Sequence, residues 1–187
     1  MNTFETDAAF VAHTYARFPV EIVGGKGSVL TGSDGKSYID LGSGIAVNTL
    51  GVCDAGWIKA VTDQLHRVCH TSNLYYSAPC ANLAAELCAR TGMQKVFFSN
   101  SGAEANECAV KAARAYGAAK HGADCYTILT LKNSFHGRTL TTLAATGQDA
   151  FHEKFQPLTP GFVSIEPTPA ALAAALDTYR VAAVLFE

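Results

Sequence analysis

The 187 residues are 49% hydrophobic and 16% charged, with a formal net charge of −2. That balance belongs to a globular chain and argues against disorder or a polyanion-binding surface, so no nucleic-acid partner is expected. Every apolar run is interrupted well short of the roughly 20 residues needed to span a bilayer. Met1-Asn2-Thr3-Phe4-Glu5 also lacks the basic and apolar segments of an export leader. A cytoplasmic protein with no membrane partner is expected. Cys53, Cys69, Cys80, Cys88, Cys108 and Cys125 form no C-x-x-C motif and read as buried free thiols. His66 and His70 share a helix face but lack the glutamate of a zinc-protease motif, so no metal site is assigned.

In chain order, residues 4–13 read as a short helix, and "YARFPV" is extended because Pro19 restricts Phe18. "EIVGGKGSVLTGSDGKSYIDL" gives short β-forming runs separated by glycine turns, with Ser33-Asp34-Gly35-Lys36 suited to a hairpin. Periodicity predicts helices over 56–69 and 79–91, joined by the polar and aromatic loop "HTSNLYYSAP". The order then becomes strand 94–99, helix 102–119, strand 124–131, a loop with a helical stretch, strand 162–166, helix 169–178 and strand 181–187. Such alternation implies an α/β fold with a mostly parallel sheet flanked by helices. The expected division is an amino-terminal segment, 1–54, carrying a small antiparallel element, and the first part of a larger α/β domain, 55–187.

The stretch "FFSNSGAEANECAVKAARAY" turns from strand to helix through small residues. Ser101 and Glu104 have capping-box spacing: the serine is expected to cap the Glu104 amide and the glutamate to reach back to the serine amide. Ala105, Ala109, Ala112, Ala113 and Tyr116 form the expected packing face; Glu104, Glu107, Lys111 and Arg114 form the solvent face. A helix start with open approach at Gly102 and Ala103 can hold a phosphate, although a tight turn also favours small residues. Neither a P-loop nor a G-x-G-x-x-G fingerprint is present. The second constellation is "LKNSFHGRT", beyond the next strand, where Phe135 can cover a flat ring and Arg138 can grip a carboxylate. Ligands bind at that sheet edge in open α/β folds.

"SNSGAEAN" followed by "KNSFHGRT", with "YARFPV", "GSDGKSYIDLGSGIAVNTLG" and "HTSNLYY" upstream, resembles class III pyridoxal-phosphate aminotransferases, and within them the acetylornithine branch. The similarity runs through nearly the whole chain. It implies the amino-terminal portion of a fold type I pyridoxal-phosphate-dependent transferase, truncated, and transamination between a small-molecule amino donor and 2-oxoglutarate in arginine biosynthesis. Ornithine, succinylornithine and 4-aminobutyrate aminotransferases are alternatives, as is a truncated, non-catalytic chain. By the resemblance, Ser101, Gly102 and Ala103 form the cup for the pyridoxal 5'-phosphate phosphate, Phe135 stacks on its ring and His136 is the neighbouring loop residue. Arg138, Tyr15, Ile45 and Glu187 fall on the substrate side. The family's Schiff-base lysine lies beyond Glu187, so the catalytic residue is unassigned and the 187 residues alone are expected to be inactive. A homodimer is implied. The chain departs from the family where Gly-His-x-His-Pro is usual and it reads "GVCDAGW".

Overall fold

A computed structural model describes all 187 residues, which divide into two compact units, Met1–Ala78 and Pro79–Glu187. The boundary falls later than the 54/55 division expected from sequence.

The first unit opens with helix α1 (Thr3–Phe10), started by a capping box between Asn2 and Glu5 and ended at Val11, which is extended. It is shorter than the expected 4–13. Strands β1 (Ile22–Lys26), β2 (Val29–Gly32) and β3 (Ser37–Ile39) pair antiparallel in that order. The β2–β3 hairpin is held by Asp34: one carboxylate oxygen accepts from the Lys36 amide at 3.0 Å and the other from the Tyr38 hydroxyl at 2.9 Å. Gly35, at φ 77°, supplies the left-handed turn conformation. The single turn α2 (Ser43–Ala46) is built from four consecutive residues at φ 46°, 64°, 61° and 58°.

The departure at "GVCDAGW" has a local explanation. Val52 and Gly27 exchange two backbone hydrogen bonds, 2.8 and 2.9 Å, tying this segment to the β1–β2 turn. Asp54 then accepts from the Trp57 amide at 2.7 Å and starts helix α3 (Ala55–Leu65). The residues that replace the usual histidines and proline thus form a strand bridge and a helix cap.

None of the hydrophobic side chains of the first unit is buried; Phe18, Leu41 and Ile45 are nearly fully exposed. The expectation of buried thiols fails here for the same reason, since Cys53 and Cys69 are exposed. All six cysteines are free, but only Cys125 is buried; Cys80 is also exposed.

The second unit continues with α4 (Ala78–Thr91), α5 (Gly102–His121), β4 (Thr127–Leu131), α6 (Leu140–Ala145), a 3₁₀ turn at Asp149–Phe151, β5 (Phe162–Ile165), α7 (Pro169–Thr178) and β6 (Val181–Leu185). The strands are parallel in the order β5-β4-β6, with Ile128 opposite both Phe162 and Ala183. This is the α/β arrangement expected from the alternation of strands and helices. β4 is central and covered on both faces: Ile128, Leu129 and Thr130 are fully buried. Val110, Cys125, Leu143, Ala145 and Ala175 complete the core, so the helices cover the central strand while β5 and β6 stay partly exposed. Gly117 lets α5 approach the sheet, since a Cβ there would collide with the Cys125 carbonyl and press on Ala182. No helix is long and apolar enough to cross a membrane.

Two expectations are corrected. Residues 94–99 form no strand, and Phe97 and Phe98 are exposed. A strand needs a ladder partner, and none of the three parallel strands offers it one. The packing face of α5 is also not the alanine face. Ala105, Ala109, Ala112 and Tyr116 are exposed, whereas Ala103, Asn106, Glu107, Val110, Ala113, Arg114 and Gly117 turn inward. These positions follow the 3.6-residue period as well as the alanines do, and their polar members are occupied by other segments.

The cap at Asp54 yields a direct test. In the complete protein, Asp54→Ala should lower unfolding free energy by about 1 kcal/mol, while Asp54→Ser should retain most of it. Urea unfolding with unchanged slope measures the difference. Equal stabilities for the two variants would contradict the capping role.

Candidate functional site

The first turn of α5 is fixed by its own flanking residues. Ser101 Oγ accepts from the Glu104 amide at 3.2 Å, as expected. The return bond differs from expectation: Glu104 Oε2 accepts from the Asn100 amide at 2.6 Å, one residue before the serine. Gly102 faces open space, with no atom within 4 Å of where a Cβ would lie. Its lack of a side chain therefore relieves no clash inside this chain. It leaves clear the approach to a helix start with unpaired amides and partial positive charge, which suits an anion.

The segment after β4 is folded onto that helix start. Asn133, at φ 64°, turns the chain as its amide donates to the Gly147 carbonyl at 2.8 Å. Ser134 Oγ returns a bond to the Leu131 carbonyl at 2.6 Å, and Gln148 Nε2 donates to the Ser134 carbonyl at 3.0 Å. Gly137, at φ 133°, then rests against Ala103: a Cβ at Gly137 would lie 2.8 Å from the Ala103 Cβ and 2.6 Å from Thr142 Oγ1.

Two side chains of α5 complete the join. Asn106 Nδ2 donates to the His136 carbonyl at 2.9 Å, and Thr139 Oγ1 donates to Glu107 Oε1 at 2.5 Å. The same threonine caps α6. Sequence reasoning missed both Asn106 and Glu107 as site residues. The available signal was their spacing from Ala103 along the face that includes Val110 and Gly117. Loss of the Asn106 bond would leave a buried carbonyl unsatisfied, costing about 1–3 kcal/mol by the usual penalty for such a group.

His136 is buried, its amide donating to Thr146 Oγ1 at 3.0 Å. Its Nε2 has no hydrogen-bond partner. Burial pushes the imidazole below the ordinary histidine range, opposed by the nearby Glu187 carboxylate. As pH falls, the unfolded chain therefore takes up this proton first. Stability is lost between the ordinary histidine range and the lowered folded value.

Phe135 stands at the surface of this join. Its ring lies 6.0 Å from that of Phe151 at 58°, and the exposed Arg138 guanidinium lies 5.3 Å from the Phe135 ring centre. The Phe135 amide donates to Glu187 Oε2 at 2.7 Å, joining the segments beyond the C-terminal ends of β4 and β6. The second unit thus gathers Ser101, Gly102, Ala103, Phe135, His136, Arg138 and Glu187 along one sheet edge. Tyr15 and Ile45 belong to the first unit. Tyr15 is exposed beneath the Arg17 guanidinium at 5.7 Å, and Ile45 is exposed at φ 61° in the left-handed turn. Chemically, the gathered edge offers a helix start of the kind that suits an anion, an aromatic face, a guanidinium and a carboxylate that accepts from a backbone amide.

The family description "aminotransferase class-III" matches residues 10–184, and the chain belongs to that family. It is 51% identical over 158 residues to an acetylornithine aminotransferase of Haemophilus ducreyi, covering 84% of this chain and 40% of that protein. It is 39% identical over 186 residues to an acetylornithine aminotransferase of Methanocaldococcus jannaschii, covering the whole of this chain and 47% of that protein. Among solved structures, the ornithine aminotransferase of Toxoplasma gondii superposes with a TM-score of 0.90 at 29% identity, over 98% of this chain and 44% of that one. The N-acetylornithine aminotransferase of Stenotrophomonas maltophilia gives 0.76 at 33% identity, over 98% and 43%. The chain therefore spans less than half the length of these relatives.

The glycines at the join make opposite predictions. Gly137→Ala should cost about 2 kcal/mol or more, because it combines a left-handed backbone with collisions against Ala103 and Thr142. Gly102→Ala should change stability by less than about 0.5 kcal/mol, since its surroundings are open. Equal unfolding free energies for the two variants of the complete protein would contradict the described seating of the loop.

Proposed function

We propose that these residues form the amino-terminal part of a pyridoxal-phosphate-dependent N2-acetylornithine:2-oxoglutarate 5-aminotransferase, acting in arginine biosynthesis. The observation that carries the reading is the seating of the Phe135–Arg138 loop on an open helix start through Gly137 and Ala103. Similarity to acetylornithine aminotransferases from distant organisms supports the choice of amino donor. Ornithine is the nearest competing donor, and Ile45 stands where ornithine aminotransferases tend to carry a tyrosine.

The residues present fit the cofactor. Ser101, Gly102 and Ala103 would receive its phosphate: the unobstructed amides at the α5 start supply donors, and the empty space at Gly102 supplies room. Phe135 would cover the ring. When bound, the cofactor supplies an aldehyde that condenses with amines and a ring that accepts the electron pair left by proton removal. This chain's own residues bind and orient. Arg138 would transfer its planar fork from the Phe135 ring to the substrate carboxylate. Glu187, held by the Phe135 amide, would face the substrate side; the resemblance assigns Tyr15 and Ile45 to substrate contacts as well. His136 would serve from below as a neutral, buried support for the ring-covering loop. None of the lysines here is assigned to proton transfer.

The same reading has the protein acting as a cytoplasmic homodimer. Leu74, Tyr75 and Tyr76 of "HTSNLYY" are strongly exposed, as an aromatic loop awaiting a covering surface would be. The carboxylate role of Arg138 is tested by Arg138→Lys in the complete protein. The substitution keeps the charge but loses the fork, so kcat/KM for the amino donor should fall about tenfold or more, while cofactor affinity stays within about twofold. Unchanged kinetics with every carboxylate-bearing donor would remove Arg138 from the substrate site.

A further inference from the structure

Asn106 lies one helical turn beyond Ala103, on the same face of α5, and its side chain is half-buried beneath the loop that carries Phe135. Its Nδ2 donates to the His136 carbonyl at 2.9 Å, and the His136 amide donates to Thr146 Oγ1 at 3.0 Å. Both peptide groups flanking the residue next to Phe135 are therefore held, one by α5 and one by the end of α6. We propose that Asn106 is a positioning residue, fixing the Phe135 ring relative to the Gly102 and Ala103 amides so that a ligand carrying both a phosphate and a flat ring is gripped at both ends. The inference rests on reading this edge as the pyridoxal-phosphate site.

The argument is one of linked binding. A phosphate and a ring joined covalently gain from each other only when their receiving groups stand at the matching separation. The start of α5 supplies the amides; the loop supplies the ring. Asn106 is the α5 side chain that bonds the loop backbone nearest Phe135, at His136, while the Glu107–Thr139 bond grips the loop three residues farther on. With Asn106 gone, that second tie and the Gly137–Ala103 contact still keep the loop on the helix, so the loop should shift rather than detach. Each half of the ligand can then follow its own receiver, and the joined ligand loses the benefit of doing both.

The test compares dissociation constants of pyridoxal phosphate, pyridoxal and inorganic phosphate for the complete wild-type protein, Asn106→Ala and Asn106→Asp. Asn106→Asp keeps the side-chain size but places an acceptor opposite the carbonyl. Expected is a weakening of about tenfold for pyridoxal phosphate in both variants, with pyridoxal and inorganic phosphate each within about twofold of wild type. Unchanged pyridoxal-phosphate affinity would overturn the inference. So would equal weakening of all three ligands, the mark of general loosening, or a loss in Asn106→Ala that Asn106→Asp does not share, which would assign the effect to lost volume. A wild-type protein that binds no pyridoxal phosphate would instead bring down the reading of the site itself, and the inference with it; the wild-type titration separates that outcome from the others.

Discussion

The contact of Gly137 with Ala103 is the constraint on which the rest of this edge depends. It brings a loop leaving one strand onto the start of a helix that precedes that strand, and only a residue without a Cβ allows it. Once the two backbones touch, the polar groups of the loop must find partners, and the second turn of α5 supplies them through Asn106 and Glu107. Phe135 and Arg138 are left at the surface, beside the open amides of the helix start. The edge proposed to receive an anion, a ring and a carboxylate is assembled by that seating.

The contact also explains which parts of the molecule were legible in the sequence. The alternation of helices and strands after residue 100, the antiparallel hairpins and the helix start at Ser101 follow from period, turn chemistry and capping, all of which are local. The strand at 94–99 was not safe to infer from such signals, because Val96, Phe97 and Phe98 specify β-forming chemistry but not a partner. Periodicity and polarity put Glu107 and Arg114 on the solvent face of α5 and assign Asn106 no role. Each in fact bonds a segment far along the chain: the His136 carbonyl, the Thr139 hydroxyl and the Pro160 carbonyl. Polarity is a poor guide to burial where a helix carries the hydrogen bonds of a loop.

The two units differ in what holds them. In the second, a central strand with fully buried Ile128 and Leu129 gives the sheet a dry interior, worth about 1.5–3 kcal/mol for each large side chain. The first has ordered hairpins, a capped helix and a run of left-handed residues, yet no buried apolar side chain. Three short strands without a covered face are marginal by themselves. Its exposed Phe18, Leu41 and Ile45 are therefore more informative as surfaces that call for cover than as ordinary solvent-facing residues. The substrate-side roles proposed for Tyr15 and Ile45 depend on that cover being supplied.

The most direct measurement of the proposed cofactor edge is the affinity of the complete protein for pyridoxal phosphate and for pyridoxal, compared between wild type and Gly102→Val. A Cβ added at Gly102 meets nothing within 4 Å, so the valine side chain would grow into the open space at the α5 start. If that space receives the phosphate, pyridoxal phosphate should weaken by about tenfold or more while pyridoxal changes by less than about threefold. Equal changes for the two ligands, or none for either, would contradict the assignment of the helix start as the phosphate cup.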